Sequence, residues 1–137
     1  VVYRLIVAVA PNVANQHIFS VEELVDIIKM AVGDNPRVTV DIFNCLLVDY
    51  LDKQNTHILL RGLRAVLDFE YEFQMALMNR RMDRKVETIF MMTGYKWFYV
   101  SSRIVRDVIM AGGTVEGLVP DYVHQKLLKK FGKKGIK

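Results

Sequence analysis

Short apolar runs alternate along the chain with stretches whose apolar residues recur at helical spacing. Arg4 to Ala10 is a run of strand length stopped by Pro11-Asn12, and it predicts a buried strand. Ser20-Val21-Glu22-Glu23 has the spacing of a capping box, and Leu24, Ile27, Ile28 and Ala31 form the apolar stripe of the helix it opens. Gly33-Asp34-Asn35-Pro36 ends that helix. Arg37 to Phe43 sets Val38, Val40 and Ile42 against polar neighbours, the period of a strand with one more exposed face. Leu47, Tyr50 and Leu51 mark a short helix within Leu46 to Gln54. Thr56 to Leu60, β-branched and aliphatic without a charge, predicts a strand buried on both faces. Arg61-Gly62-Leu63-Arg64 then reads as a phosphate-sized turn before a helix that opens near Asp68. Phe69, Phe73, Ala76 and Leu77 supply its core stripe.

A further strand is expected over Val86 to Met92, followed by a loop from Thr93 to Val100. Ser101-Ser102 opens a helix with Ile104, Val105, Val108 and Ile109 inward, closed by Gly112-Gly113. Pro120 starts a last helix with Val123, Leu127 and Leu128 inward. Strands alternating with helices argue for an α/β layer fold with a parallel sheet. No repeat, low-complexity stretch or linker divides residues 1–137, so one domain is expected.

Composition narrows the class. The chain has 137 residues, 52% hydrophobic and 25% charged, which is globular material with enough length for a core. No apolar run reaches membrane-spanning length and no signal peptide precedes the first strand, so a cytoplasmic location is expected. The single cysteine, Cys45, has no disulfide partner in the chain and no neighbour at metal-ligand spacing, and it reads as a buried structural thiol. The net charge of +4 includes the lysines of a basic tail, Lys129 to Lys137, and no nucleic-acid motif accompanies it.

Candidate chemistry gathers in two stretches. In open parallel sheets ligands bind beyond the carboxyl ends of the strands, where Arg61 and Arg64 are expected to meet a polyanion. Gly62 would let the backbone approach it. Glu72 and Asn79 stand two helical turns apart and can face the same cleft. The alternative is structural: the two arginines pair with Glu72 or Asp68 as surface ion pairs. Ser101-Ser102 begins a helix with exposed N–H groups and hydroxyls, a setting that suits an anion and equally suits plain N-capping.

The run from Arg61 to Asn79, R-G-L-R-A-V-L-D-F-E-Y-E-F-Q-M-A-L-M-N, resembles the signature of bacterial phosphopantetheine adenylyltransferases, nucleotidyltransferases of coenzyme A biosynthesis. Val100, Ser101, Ser102 and Arg106 match a second pattern of that superfamily, with Arg103 in place of its third hydroxyl residue. The resemblance implies a Rossmann-like, doubly wound parallel sheet with helices on both faces. It implies transfer of an adenylyl group from ATP, with Mg2+, to 4′-phosphopantetheine. Gly62, Leu63, Arg64, Glu72 and the stretch Trp97, Phe98, Tyr99, Val100, Ser101, Ser102 and Arg103 would contact ATP, with Arg64 stabilising charge in catalysis. Arg61, Leu47 and Asn79 would hold the acceptor, with Met75 and Met78 beside its arm. No metal ligand is assigned to a protein side chain. A homohexamer and feedback by coenzyme A go with the family; nucleic acid and membrane do not.

The family opens with a strand and a Gly-His segment that carries a catalytic histidine, and neither is in this chain. His17, His57 and His124 lie in no such motif, and Asn15 stands nearest the position of a substrate lysine. A chain without its N-terminal segment is therefore expected. Two further readings are another nucleotidyltransferase of the superfamily and a non-catalytic module that binds nucleotide or coenzyme A.

Overall fold

The expected alternation is realised element by element in the computed structural model, which describes residues 3–11 and 18–131. The elements are β1 (Leu5–Val9), α1 (Val21–Val32), β2 (Val38–Ile42), α2 (Leu47–Lys53), β3 (Ile58–Leu63), α3 (Val66–Met82), β4 (Glu87–Met92), α4 (Ser102–Met110) and α5 (Asp121–Phe131). A 3-10 turn at Tyr95–Trp97 interrupts the expected loop after β4. Asn15, His17 and the end of the basic tail lie outside the described residues. The chain divides into two compact units, Val1–Asn44 with Val100–Lys137, and Cys45–Tyr99.

In the first unit β1 and β2 run parallel, from Leu5 opposite Val38 to Val9 opposite Ile42. Parallel neighbours need a long crossover, and α1 supplies it. Its capping box is complete: Ser20 Oγ accepts the Glu23 N–H at 3.2 Å, and the Glu23 carboxylate accepts the Ser20 N–H at 2.8 Å. The helix stops at Gly33, whose φ of 63° lies where a side chain would be strained. Phe19, Val105, Ile109, Val115 and Leu127 form the buried core, with Leu24, Ile27 and Val123 packed around it. The Tyr122 hydroxyl donates to the Ile27 carbonyl at 2.9 Å and Lys130 reaches Glu23 at 2.8 Å, fastening α5 to α1. Several residues expected inside are not: Ile104 is 44% exposed, Leu128 38% and Leu5 37%, and Ala8 of β1 and Ala31 of α1 are exposed too. On α4 the buried stripe is the four-residue step from Val105 to Ile109, narrower than four apolar positions suggested.

In the second unit β3 and β4 run parallel, from Ile58 opposite Glu87 to Leu63 opposite Met92, with α3 as the crossover. Val48, Leu51 and Val86 are buried together and Leu59 packs on them. Several expectations give way here. The strand does not end at Leu60, because Arg61, Gly62 and Leu63 pair with Phe90, Met91 and Met92. Pairing with a strand some thirty residues away satisfies their backbone groups and overrides the turn preference of Arg-Gly. Nor is β3 covered on both faces: Ile58 and Leu60 are exposed, as are Ile89 and Met91 of β4. Cys45 is half-buried rather than enclosed, with Lys53 Nζ 4.0 Å from its sulfur.

The largest correction concerns α3. Phe69, Phe73 and Leu77, expected as a core stripe, are 46%, 45% and 54% exposed, while the polar Asn79 is 4% exposed. Phe69 stacks on Phe73 at 5.6 Å and meets Phe90 edge-on at 6.2 Å, so it leans on the sheet without being enclosed.

Candidate active site

Side chains alternate across a strand, which puts Leu59 and Arg61 on one face of β3 and Ile58, Leu60 and Gly62 on the other. Leu59 stands opposite Thr88 of β4 in register. Glu72 and Asn79, two turns apart on α3, come to this first face and line with Arg61 a cavity of about 180 Å³. Leu47 from α2 joins them, as do Leu59, Thr88 and the α3 residues Tyr71, Met75 and Ala76. Of the residues expected in one cleft, Arg61, Glu72 and Asn79 share this cavity, with Leu47 and Met75 in its wall, while Arg64 is not in its lining. Met78 is exposed and lies outside that lining.

The cavity's electrostatics rest on one ion pair. Arg61 Nε donates to Glu72 Oε2 at 2.7 Å and Nη2 to Oε1 at 2.5 Å, a two-point fork. The hydrogen bonds to Glu72 hold the Arg61 guanidinium above its ordinary pKa, while partial burial pulls the other way. Arg64, just past β3, donates from Nε to Asp68 Oδ2 at 3.1 Å, one turn into α3. Both arginine–carboxylate pairs of the structural alternative are thus formed, and one of them is also a wall of the cavity.

The remaining candidates are placed less closely. A side chain at Gly62 would meet nothing within 4 Å. Leu63 is buried at 6% exposure. Trp97, Phe98 and Tyr99 are exposed in and after the 3-10 turn, with Lys96 Nζ 4.8 Å from the Trp97 ring centroid. Val100, Ser101, Ser102 and Arg103 belong to the first unit. There Ser101 caps α4, its Oγ accepting the Ile104 N–H at 3.2 Å, while Ser102 is exposed. Arg103 and Arg106 both approach Asp107 at 3.9 Å. Among the described residues no group of three or more His, Cys, Asp and Glu could hold a metal ion, and no helix is long and apolar enough to cross a membrane.

The sequence assigns none of Leu59, Tyr71, Ala76 and Thr88 to a site; its helical period puts Ala76 in the core stripe of α3, and the structure puts it in the cavity wall. Period-two alternation from Arg61 back to Leu59, and the parallel register from Leu59 to Thr88, are the signals that point to two of them. The register, though, exists only once β4 is known to be the partner.

Comparison with known proteins shows the family. Residues 2–108 match the family model described as cytidylyltransferase-like. The phosphopantetheine adenylyltransferase of Syntrophus aciditrophicus is 50% identical over 93% of this chain and 78% of its own length. The proteins of that name from Maridesulfovibrio salexigens and Dictyoglomus thermophilum are each 48% identical, over 94% and 96% of this chain and 78% and 80% of their own lengths. With half its residues shared across nearly its whole length, and parallel strands joined by helices in the Rossmann manner, the chain belongs to the phosphopantetheine adenylyltransferase family of cytidylyltransferase-like nucleotidyltransferases.

Proposed function

We propose that the chain transfers the adenylyl group of ATP to 4′-phosphopantetheine, releasing pyrophosphate and forming dephospho-coenzyme A. The observation that carries this reading is the cavity between β3 and α3, where one forked arginine meets an apolar wall and a buried amide. Arg61 suits the phosphate of the acceptor, and Leu47, Met75 and Asn79 suit the arm behind it. A phosphate oxygen of the acceptor attacks the α-phosphorus of ATP, a P–O bond to it forms, and the bond to the β-phosphate breaks. No covalent enzyme intermediate is needed. Positioning and charge stabilisation then supply the catalysis, with Arg64 bearing on the charge that develops at phosphorus.

Gly62, Leu63, Glu72, Trp97, Phe98 and Tyr99 are assigned to ATP within the Cys45–Tyr99 unit. The like assignment of Val100, Ser101, Ser102 and Arg103 rests on the resemblance and on the exposed start of α4. Magnesium bound through phosphate oxygens and water needs no cluster of protein ligands, so these residues are compatible with it. It would neutralise phosphate charge. A homohexamer, coenzyme A as a feedback ligand and a cytoplasmic location complete the reading. The exposed apolar side chains of α3 give such an assembly area to bury.

Pyrophosphate release from ATP with 4′-phosphopantetheine, nicotinamide mononucleotide or a cytidylyl-type acceptor tests the reaction. Release that depends on 4′-phosphopantetheine is expected. Tight binding of both ligands without release would replace the enzyme by a binding module.

A further inference from the structure

Glu72 is the more enclosed member of its ion pair, with a side chain 15% exposed against 49% for Arg61. Its two oxygens take an Nε–H and an Nη2–H of Arg61. A phosphate monoester takes a guanidinium by this same fork, so carboxylate and phosphate compete for the Nε–Nη2 edge of Arg61. Among the described residues that line the cavity, Arg61 is the single cation, so an anion entering there has no second positive partner on the wall. The N–H groups of Arg61 that Glu72 leaves open could take a phosphate only by setting two anions on one guanidinium, where the Glu72 carboxylate would repel it.

We propose that Glu72 is an internal stand-in for the acceptor phosphate at Arg61, and that the phosphate binds by displacing the carboxylate. The proposal rests on the reading of Arg61 as the acceptor-phosphate residue, and adds that Glu72 opposes the ligand it makes way for. Before binding, the pair keeps a guanidinium from being left partly buried without an anion, a costly state. It also closes Arg61 to weak anions that cannot compete with a forked carboxylate. The acceptor phosphate, with more charge, exchanges places with Glu72, and Arg61 stays paired throughout.

The test is calorimetric titration of the intact protein, without ATP, using 4′-phosphopantetheine and pantetheine. Glu72→Gln is expected to bind 4′-phosphopantetheine about three- to tenfold more tightly than the wild type, with affinity for pantetheine unchanged. Equal or weaker binding of 4′-phosphopantetheine by E72Q overturns the proposal and makes Glu72 a plain positioning residue for Arg61. Arg61→Gln separates this failure from failure of the underlying reading. If R61Q keeps the wild-type preference for the phosphorylated ligand, Arg61 does not read the phosphate and both ideas fall. Should E72Q not fold, the Arg61 Nε–H resonance of the wild-type protein decides: it must shift on saturation with 4′-phosphopantetheine and stay in place with pantetheine. A resonance that stays in place with both overturns the exchange.

Discussion

Helices α1 and α3 are both crossovers between parallel strands, yet they are built on opposite plans. In α1 the apolar face goes inward, with Val25 buried and Leu24 and Ile27 on the core. Its first turn is closed by the Ser20–Glu23 box. In α3 the position before the helix is Ala65, whose methyl group cannot cap it, and Phe69, Phe73 and Leu77 are left about half exposed. What α3 turns to the cavity is mixed: Tyr71, Met75 and Ala76 beside the buried Asn79 and Glu72 locked to Arg61. A helix arranged only to stabilise its unit would be built like α1. By placing Glu72 and Asn79 among the inward residues, α3 forgoes some apolar burial and gains a cavity wall with fixed charge, which suits a site that must orient a ligand.

The sharpest way to break the contrast is Arg64→Ala. Removing a charge-stabilising donor should lower kcat on the order of a hundredfold with the thermal midpoint little changed. Turnover at the wild-type rate would make the Arg64–Asp68 pair purely structural. Next in size is a matched pair of truncations followed by urea titration. Val25→Ala in α1 should cost about 1–2 kcal/mol, and Leu77→Ala in α3, although a larger deletion, no more than about 0.5 kcal/mol. Equal losses would mean that α3 is held as α1 is. Caps come third: Ser20→Ala should cost about 1 kcal/mol, while Ala65→Ser, at an extended position suited to capping, should stabilise by a few tenths to about 1 kcal/mol.

The smallest effect is on pH. Lys130 first, and then the Ser20 N–H, hold the Glu23 carboxyl below the ordinary carboxylate range. A folded-state pKa below the unfolded one contributes stability that is fully present above about pH 4.3 and is lost as pH falls through the lower folded value. Glu23→Gln should therefore flatten the acid limb of a stability profile between about pH 5 and 3. An unchanged limb would remove Glu23 from the account.

Much of the layout was legible because it depends on neighbours in the chain. The capping box, the Gly33 stop, the four strands and the two-turn spacing of Glu72 and Asn79 are all short-range patterns. The carboxylate choices of Arg61 and Arg64 were open from sequence, since Glu72 and Asp68 were each within reach. The extension of β3 through Arg61, Gly62 and Leu63 was not legible, because it is decided by pairing with Phe90, Met91 and Met92. The helical period of Phe69, Phe73 and Leu77 misled for a related reason: period reveals that a face exists, and only the neighbouring elements decide which face is covered.

By itself the sequence determined the order and kind of the elements, the parallel crossovers, and the family that its Arg61 to Asn79 run resembles. These follow from local sterics, hydrogen bonding and periodicity, which act over a few residues. Tertiary structure alone decided which side of α3 is wall and which is surface. It also decided that Arg61 sits on a strand rather than in a turn, and that Glu72 takes its Nε–Nη2 fork. Those outcomes depend on contacts between segments distant in the chain, where burial and backbone pairing outweigh local preference.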